Sequence, residues 1–170
     1  LLETDQAIAA KVLKLANSSY YGLSGKVGSI QHASVVLGHK ALAELITIGG
    51  TASILGNTLQ GYGLESGQLW KHSLGVAFGA RIISSRKNPS LTNDAFAAGL
   101  LHDAGKLILG PYVLQRQEAF QEFITNNDDS FLAAEKQILE FDHSEIAPYV
   151  SKISNNTPAL TTAIRYHHDP

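Results

Sequence analysis

Apolar side chains recur at three- and four-residue spacing along almost the whole of this 170-residue chain. That spacing is typical of helices that bury one face and expose the other. Strand signals are scarce, because residues 22–25 and 61–63 read as turns and are not flanked by alternating segments. The sequence therefore predicts an all-α fold, a multi-helix bundle, with apolar stripes over residues 8–15, 35–48, 69–83, 91–109, 113–124 and 132–139.

Two sequence signals predict where the last helices begin, and a third predicts an interruption. Asp142, followed three residues later by Glu145, forms a capping-box pattern at a helix start. Pro158 suits the first turn of a final helix that runs to about residue 168. Pro148 removes a backbone hydrogen bond from a helix interior, so we expect a kink or a short helix after Asp142.

A chain of this length suits a single domain, here residues 1–170. The turn-rich segment 56–67 predicts a boundary between two lobes within it. We expect an N-terminal helical lobe at residues 1–60 and a histidine-bearing lobe at residues 61–170. Leu1 is not a natural start and the chain stops directly after a run of histidines, so we expect it to be excised from a longer multidomain protein.

Composition excludes several classes of protein. Lys and Arg total 13 against 15 Asp and Glu, a net charge of −2, which argues against a nucleic-acid partner. Charged residues are 16% and hydrophobic residues 44% of the chain, which excludes a disordered chain. The longest apolar segment, residues 95–101, is too short to span a membrane. Without cysteine or a visible signal peptide we expect a cytoplasmic protein with no disulfide and no thiol nucleophile.

Five of the seven histidines lie in four places where other polar residues suit a metal site. The gaps between these places are about one helical hairpin each, so a bundle can return each imidazole to a common centre. The six candidate ligands are His72, His102, Asp103, His143, His167 and His168.

The chemistry of the six predicts a divalent ion. Imidazole suits iron, zinc, nickel and copper, and the carboxylate of Asp103 adds manganese and has two oxygens with which to bridge two ions. Neighbouring residues on a helix point about 100° apart, so His167 and His168 are expected to serve one broad centre and not easily one tetrahedral ion. Lys106 lies one turn after Asp103, where its ammonium could meet a phosphate oxygen.

A structural role for the histidines is the alternative to metal binding. A single histidine on an apolar helix face is usually packed and hydrogen-bonded, and we interpret His32 and His39 in that way. If the six candidate residues do the same, the chain is an interaction domain whose histidines belong to its core.

Several separated motifs, in order, resemble the HDOD family, a branch of the HD superfamily. They include Leu-Trp-Lys-His-Ser at residues 69–73, Ala-Gly-Leu-Leu-His-Asp-Ala-Gly-Lys at residues 98–106 and His-His-Asp-Pro at residues 167–170. Residues 11–18, 20–22, 29–33 and 37–38 also match the family's pattern. The resemblance implies an HD-like helical fold and a role in bacterial signal transduction, in a chain shared with receiver or cyclic-dinucleotide domains.

The six candidate ligands are similar in order to the metal ligands of the related HD-GYP phosphodiesterases, which implies a centre of two or three ions, often iron. Three departures stand out. Gln68 occupies the place of a glutamate in that branch, and the further aspartate that the family places well after the paired histidines would lie past the end of this sequence. The glycine-tyrosine-proline signature is absent after His168.

Two further hypotheses for function therefore stand beside the structural one. In the first, the chain is a regulatory signalling module that keeps a metal site. In the second, it is a metal-dependent phosphohydrolase or phosphodiesterase acting on a nucleotide or cyclic nucleotide, with Asp103 and Lys106 as its catalytic residues.

Overall fold

The computed structural model describes residues 6–19, 21–127, 130–147 and 157–169. Over these ranges the regular structure is helical, apart from an isolated antiparallel bridge between Leu59 and Leu64, so the predicted all-α fold is confirmed. The chain divides into two units, Leu1–Gly56 and Asn57–Pro170, which we call the N-terminal unit and the C-terminal unit. Within the described part of the chain, no helix is long and apolar enough to cross a membrane.

The N-terminal unit packs two helices against each other, α1 (Gln6–Ala16) and α2 (Ile30–Leu55). Asn17 closes α1: its amide donates to the carbonyl oxygens of Leu13 and Val27 at 2.8 and 2.9 Å. Ser29 caps α2, and Gly38 kinks that helix with a φ of 79°, a conformation that favours glycine. The core between the helices is built from Val12, Ala16 and Leu45.

The C-terminal unit begins with a 3₁₀ turn at Gln60–Tyr62, and a second 3₁₀ turn, Pro89–Leu91, directly precedes the helix that starts at Thr92. Residues 143–147 form a further short helical segment. The longer helices are α3 (Gln68–Lys87), α4 (Thr92–Leu101), α5 (Gly105–Gln115), α6 (Gln117–Asn127), α7 (Phe131–Leu139) and α8 (Pro158–Arg165).

Helices α3, α4 and α8 form the part of this unit that carries most of the histidines. α3 and α4 cross closely at Gly99, where an added Cβ would lie 2.7 Å from the Cα of Ala77. α8 packs on α4 through Leu160 and Ile164, which contact the partly buried apolar residues Ala97, Ala98 and Leu101. This crossing brings residues of α3, the end of α4 and the end of α8 together.

The apolar stripe at residues 91–109 predicts one helix, and this expectation is wrong. The chain turns at residues 102–104, where the backbone N–H groups of Ala104 and Lys106 donate to the carbonyls three residues earlier, at 2.9 and 3.0 Å. The reason is tertiary, because Gly105 lies against the carbonyl oxygen of His143 and a side chain there would collide with it. A second stripe, residues 113–124, is likewise divided at Arg116 between α5 and α6.

Both helix starts that the sequence predicts near the C-terminus, at Asp142 and at Pro158, are present in the structure. The capping box is confirmed: the Asp142 N–H donates to Glu145 at 3.1 Å, and the Glu145 N–H donates to Asp142 at 3.0 Å. Pro158 occupies the first turn of α8, as predicted, but the helix ends at Arg165 and residues 166–168 form a turn. Pro148 lies outside the described residues.

Candidate metal centre

All six predicted ligands lie in the C-terminal unit, and their side chains converge. Their nitrogen and oxygen atoms fall into two overlapping groups, and within each group these atoms lie within 4.8 Å of one another. We call Asp103, His143, His167 and His168 the four-ligand group, and His72, His102 and Asp103 the three-ligand group. His32 and His39 belong to neither group and are exposed, so the expectation that they pack inside the protein is wrong.

The four-ligand group is mostly buried. His143 Nε2 lies 3.1 Å and His167 Nε2 lies 3.8 Å from the same oxygen, Asp103 Oδ1. His168 Nε2 lies 2.9 Å from His143 Nε2. The side chains of Asp103 and His143 are only 3% and 2% exposed. Three imidazoles and one carboxylate oxygen form a ligand set that suits a borderline divalent ion.

The three-ligand group lies on the other side of the same carboxylate. His102 Nε2 and His72 Nε2 are 3.5 and 3.7 Å from Asp103 Oδ2, and 3.3 Å from each other. The His72 side chain is 58% exposed, so this group is open to solvent. Asp103 therefore presents one oxygen to each group.

The position of His167 and His168 differs from the expectation for neighbouring helical residues. Because α8 ends at Arg165, both histidines lie in the turn that follows it. Their ring centroids are 4.0 Å apart and the two planes are tilted by 42°. From this turn the pair directs both side chains into one four-ligand group.

Hydrogen bonds to backbone carbonyl groups on the far side of the rings fix two of the imidazoles, those of His102 and His167. Since a carbonyl oxygen only accepts, the Nδ1 atoms of His102 and His167 must donate to Gly99 and Ile164, at 2.8 and 2.7 Å. That leaves the Nε2 atom of each ring with its lone pair directed inward. His167 Nε2 is buried and has no hydrogen-bond partner in the described part of the chain. This orphaned atom, with the donor set around it, fits a bound cation.

His143 has a carboxylate on each side. Its Nδ1 donates to Glu135 at 2.7 Å and its Nε2 faces Asp103. Burial lowers the pKa of His143, but the hydrogen bonds to Asp103 and Glu135 outweigh it and raise the pKa above its usual value. A metal ion at Nε2 would replace a proton that the two carboxylates otherwise hold there.

The other imidazoles of the four-ligand group are predisposed to be neutral. Burial, followed by electrostatic interaction with His167 and His143, lowers the pKa of His168 to about 4. Burial also lowers the pKa of His167, against the effect of its hydrogen bond to Ile164. Neutral imidazole is the form that binds a metal ion.

Glu135 and Tyr62 support the centre and are missed by our sequence analysis. The Glu135 side chain is fully buried and accepts from both the backbone N–H and the ring of His143. The Tyr62 hydroxyl donates to the other Glu135 oxygen at 2.6 Å. Burial, with the nearby Glu135 charge, raises the pKa of Tyr62 well above its usual range. A sequence pattern that could identify Glu135 is its position on the apolar stripe of α7, because a glutamate buried there needs a hydrogen-bonding partner.

Lys106, for which the sequence suggests contact with a phosphate oxygen, pairs with the candidate ligand Asp103. Its Nζ lies 2.8 Å from Asp103 Oδ2, as an ion pair within the centre. Burial opposes the ionisation of Asp103, but the hydrogen bond from His143 and the charges of His102 and Lys106 hold the Asp103 pKa far below its usual value.

A cavity of about 480 Å³ adjoins the centre between α3, α4 and α8. The edges of His102, His167 and His168 form one wall of it, and the rest is lined by small apolar residues, Val76, Ala80, Ala95, Ala98, Gly99 and Ala163. A small molecule in this cavity would contact the ligand groups directly.

The fold and the site together define an all-helical domain with a histidine–aspartate centre that is suited to a divalent ion. The chain belongs to the HDOD domain family, whose model matches residues 1–170. The predicted resemblance is thereby confirmed.

Two solved structures share the fold. An HDOD domain protein with unknown function from Geobacter sulfurreducens is 29% identical, with a TM-score of 0.81 over 99% of this chain and 56% of that one. A protein of Shewanella amazonensis SB2B described as a "Putative phosphohydrolase" is 25% identical, with a TM-score of 0.82 over 99% of this chain and 59% of that one.

A curated relative, an "Uncharacterized protein" of Treponema pallidum (strain Nichols), is 23% identical over 170 residues, which are 99% of this chain and 32% of the relative. The chain thus spans about a third of this relative and somewhat more than half of each matched structure.

Proposed function

We propose that this chain is a regulatory HDOD module of bacterial signal transduction that binds a divalent metal ion at the histidine–aspartate centre. The observation that carries the proposal is the convergence of six side chains from four separate segments of the C-terminal unit, with inward-facing Nε2 atoms. Buried imidazoles that are fixed in this way by Nδ1 hydrogen bonds are typical of metal ligands.

The roles of the residues follow from the two ligand groups. His143, His167, His168 and Asp103 Oδ1 would hold the principal ion, and Glu135 would orient His143. Iron is our first choice of metal, and manganese, zinc and nickel suit the same ligands. The bound ion would supply a fixed positive charge that ties together the segments carrying its ligands.

A regulatory role accounts for two features of the centre. The four-ligand group offers four protein atoms to one ion. An ion that is held entirely by protein atoms is typical of structural sites and not of catalytic ones. Lys106 is engaged by Asp103 in an ion pair. The module would pass the state of its centre to partner domains in the cytoplasm, such as receiver or cyclic-dinucleotide domains, with no nucleic acid or membrane partner.

A second candidate function is a metal-dependent phosphohydrolase acting on a nucleotide or cyclic nucleotide. The cavity beside His102, His167 and His168 favours it, because a substrate there would lie against the centre. The description of the Shewanella protein points the same way. In this function Asp103 would help to hold the metal ions, and Lys106 would leave Asp103 to contact a phosphate oxygen.

Metal analysis combined with thermal melting tests the regulatory proposal. We expect purified protein to contain metal by elemental analysis, and removal of the metal by a chelator to lower Tm, because an ion that binds only the native state stabilises it. The double variant H102A/D103A should lose metal, and H39A, at an exposed histidine outside both groups, should keep it. Absence of metal together with an unchanged Tm after chelation would contradict the proposal.

Turnover assays separate the two functions. Metal-loaded protein is incubated with phosphomonoesters, phosphodiesters, nucleotides and cyclic dinucleotides, and release of product is followed. The regulatory function predicts no activity above that of H102A/D103A. Hydrolysis that the double variant abolishes would favour the phosphohydrolase instead.

A further inference from the structure

The two ligand groups are unequal, and Lys106 is the reason. We propose that this chain holds one tightly bound ion in the four-ligand group, and that the Lys106 ammonium occupies the position of a second cation at Asp103 Oδ2. The inference rests on the proposed metal binding and specifies its stoichiometry.

The two oxygens of Asp103 have different surroundings. Oδ1 faces the imidazoles of His143 and His167, at 3.1 and 3.8 Å. Oδ2 faces His102 and His72, and it also bears Lys106 Nζ at 2.8 Å, closer than either imidazole. A cation entering the three-ligand group must therefore compete with an ammonium for its carboxylate oxygen.

Burial makes this competition effective. The side chains of Asp103 and Lys106 are 3% and 19% exposed, so water screens their ion pair only weakly. An ion that displaced Lys106 would have to break this contact and would leave the ammonium close to a divalent charge. An ion at Oδ1 meets neither obstacle, because the ammonium lies on the opposite oxygen.

The ligands themselves add to the difference. The four-ligand group offers four protein atoms, including the buried His143. The three-ligand group offers three, and one of them belongs to His72, whose side chain is 58% exposed and must lose freedom to bind. Both the number of ligands and their burial favour the four-ligand group.

Equilibrium dialysis against Zn²⁺, with metal counted by elemental analysis, measures the stoichiometry. We expect one tightly bound ion per chain in the wild type. Lys106→Met removes the ammonium and keeps the length of the side chain, so a second ion should bind at least about tenfold more tightly than in the wild type. Lys106→Arg keeps the charge and serves as the matched control, with one ion expected.

Two histidine variants assign the ions to their groups. His72→Ala should leave the first ion and its Kd unchanged in the wild-type background, and should abolish the second ion when it is combined with Lys106→Met. His168→Ala should raise the Kd of the first ion. These arms also keep the inference falsifiable if Lys106→Met does not fold, which circular dichroism melting checks.

Each contrary result has a distinct meaning. A wild type that binds two ions with Kd values within about tenfold of each other would overturn this inference and leave the proposed function intact. A second ion that fails to tighten in folded Lys106→Met would also overturn it. Protein that binds no ion in any variant would remove the proposed function and this inference together.

Discussion

Asp103 is the residue on which both ligand groups depend. Its carboxylate lies at the turn between α4 and α5, where each oxygen faces a different set of imidazoles. Substitution of any one histidine removes a ligand from one group, but substitution of Asp103 removes a ligand from both.

Glu135 acts on the centre without being among its ligands. We expect Glu135→Gln to raise the Kd for Zn²⁺ by about 10- to 100-fold, because the amide no longer holds His143 with a full negative charge. Dialysis measures the Kd, and Glu118→Gln on the exposed face of α6 is the control. An unchanged Kd in a folded Glu135→Gln variant would show that His143 is positioned by other contacts.

Because of Asp142, we expect the free energy of unfolding of the C-terminal unit to fall at low pH. Burial opposes its ionisation, but hydrogen bonds from Ser144 and Glu145 and the contact with Lys136 lower the Asp142 pKa to about 2. A carboxylate with a lowered native pKa stabilises the fold when ionised, and the stabilisation is lost as pH falls toward that pKa.

We expect Asp142→Asn to lower the free energy of unfolding by about 1–2 kcal/mol above pH ~5 and by progressively less toward pH ~2. Urea unfolding at a series of pH values measures this difference. Lys136→Met, which removes only the ion pair at 3.1 Å, should show a smaller effect with the same direction. A difference that stays constant with pH would contradict the assignment.

For single residues, the sequence predicts the candidate metal ligands well. It does not predict the residues that hydrogen-bond to those ligands and hold them in place. The adjacent pairs His102–Asp103 and His167–His168 are visible in the sequence because they combine metal-binding side chains. Glu135 is 8 residues before His143 and bonds to it only because α7 and the segment after it fold together. Its contact with Tyr62, across 73 residues, leaves no local pattern at all.

Among the elements, the break between α4 and α5 shows the limit of periodicity. The apolar residues continue through residues 102–104 at helical spacing, so the pattern alone predicts one helix. The close approach of Gly105 to His143 decides the actual geometry, and it is a contact between distant segments. Helix starts, in contrast, depend on neighbouring residues, and the capping box at Asp142 could be predicted.

The helices α3 and α4 cross so closely that residue 99 has no room for a side chain. Gly99→Ala should lower the free energy of unfolding by about 1–3 kcal/mol, because its Cβ would collide with the backbone of Ala77 and force the helices apart. Gly75→Ala, on the exposed face of α3 with no atom within 4 Å of the new Cβ, should stabilise by up to about 1 kcal/mol. Urea unfolding compares the two, and equal effects would contradict the close crossing.

For the whole molecule, the centre belongs to one of the two units. Its ligands lie between His72 and His168, all within the C-terminal unit. The division into lobes at residues 1–60 and 61–170, expected from the turn-rich segment 56–67, stays a prediction.

Hydrogen exchange tests how metal binding acts on the whole chain. At a free Zn²⁺ concentration about 100 times Kd, we expect the native state to gain about 2.7 kcal/mol of stability. The gain should appear in the slowest-exchanging amides of α3, α4 and α8, and amides of α1 and α2 serve as the internal reference. Equal protection of both units would show that they unfold as one.

The dispersal of the ligands along the chain has a consequence for synthesis. The four-ligand group draws on residue 103 and residue 143, and it is completed only by residues 167 and 168. A nascent chain on the ribosome cannot assemble that coordination shell until this histidine pair has emerged from the exit tunnel. An ion bound by this group would therefore be fully coordinated only late in the synthesis of this domain, once residues 167 and 168 have emerged.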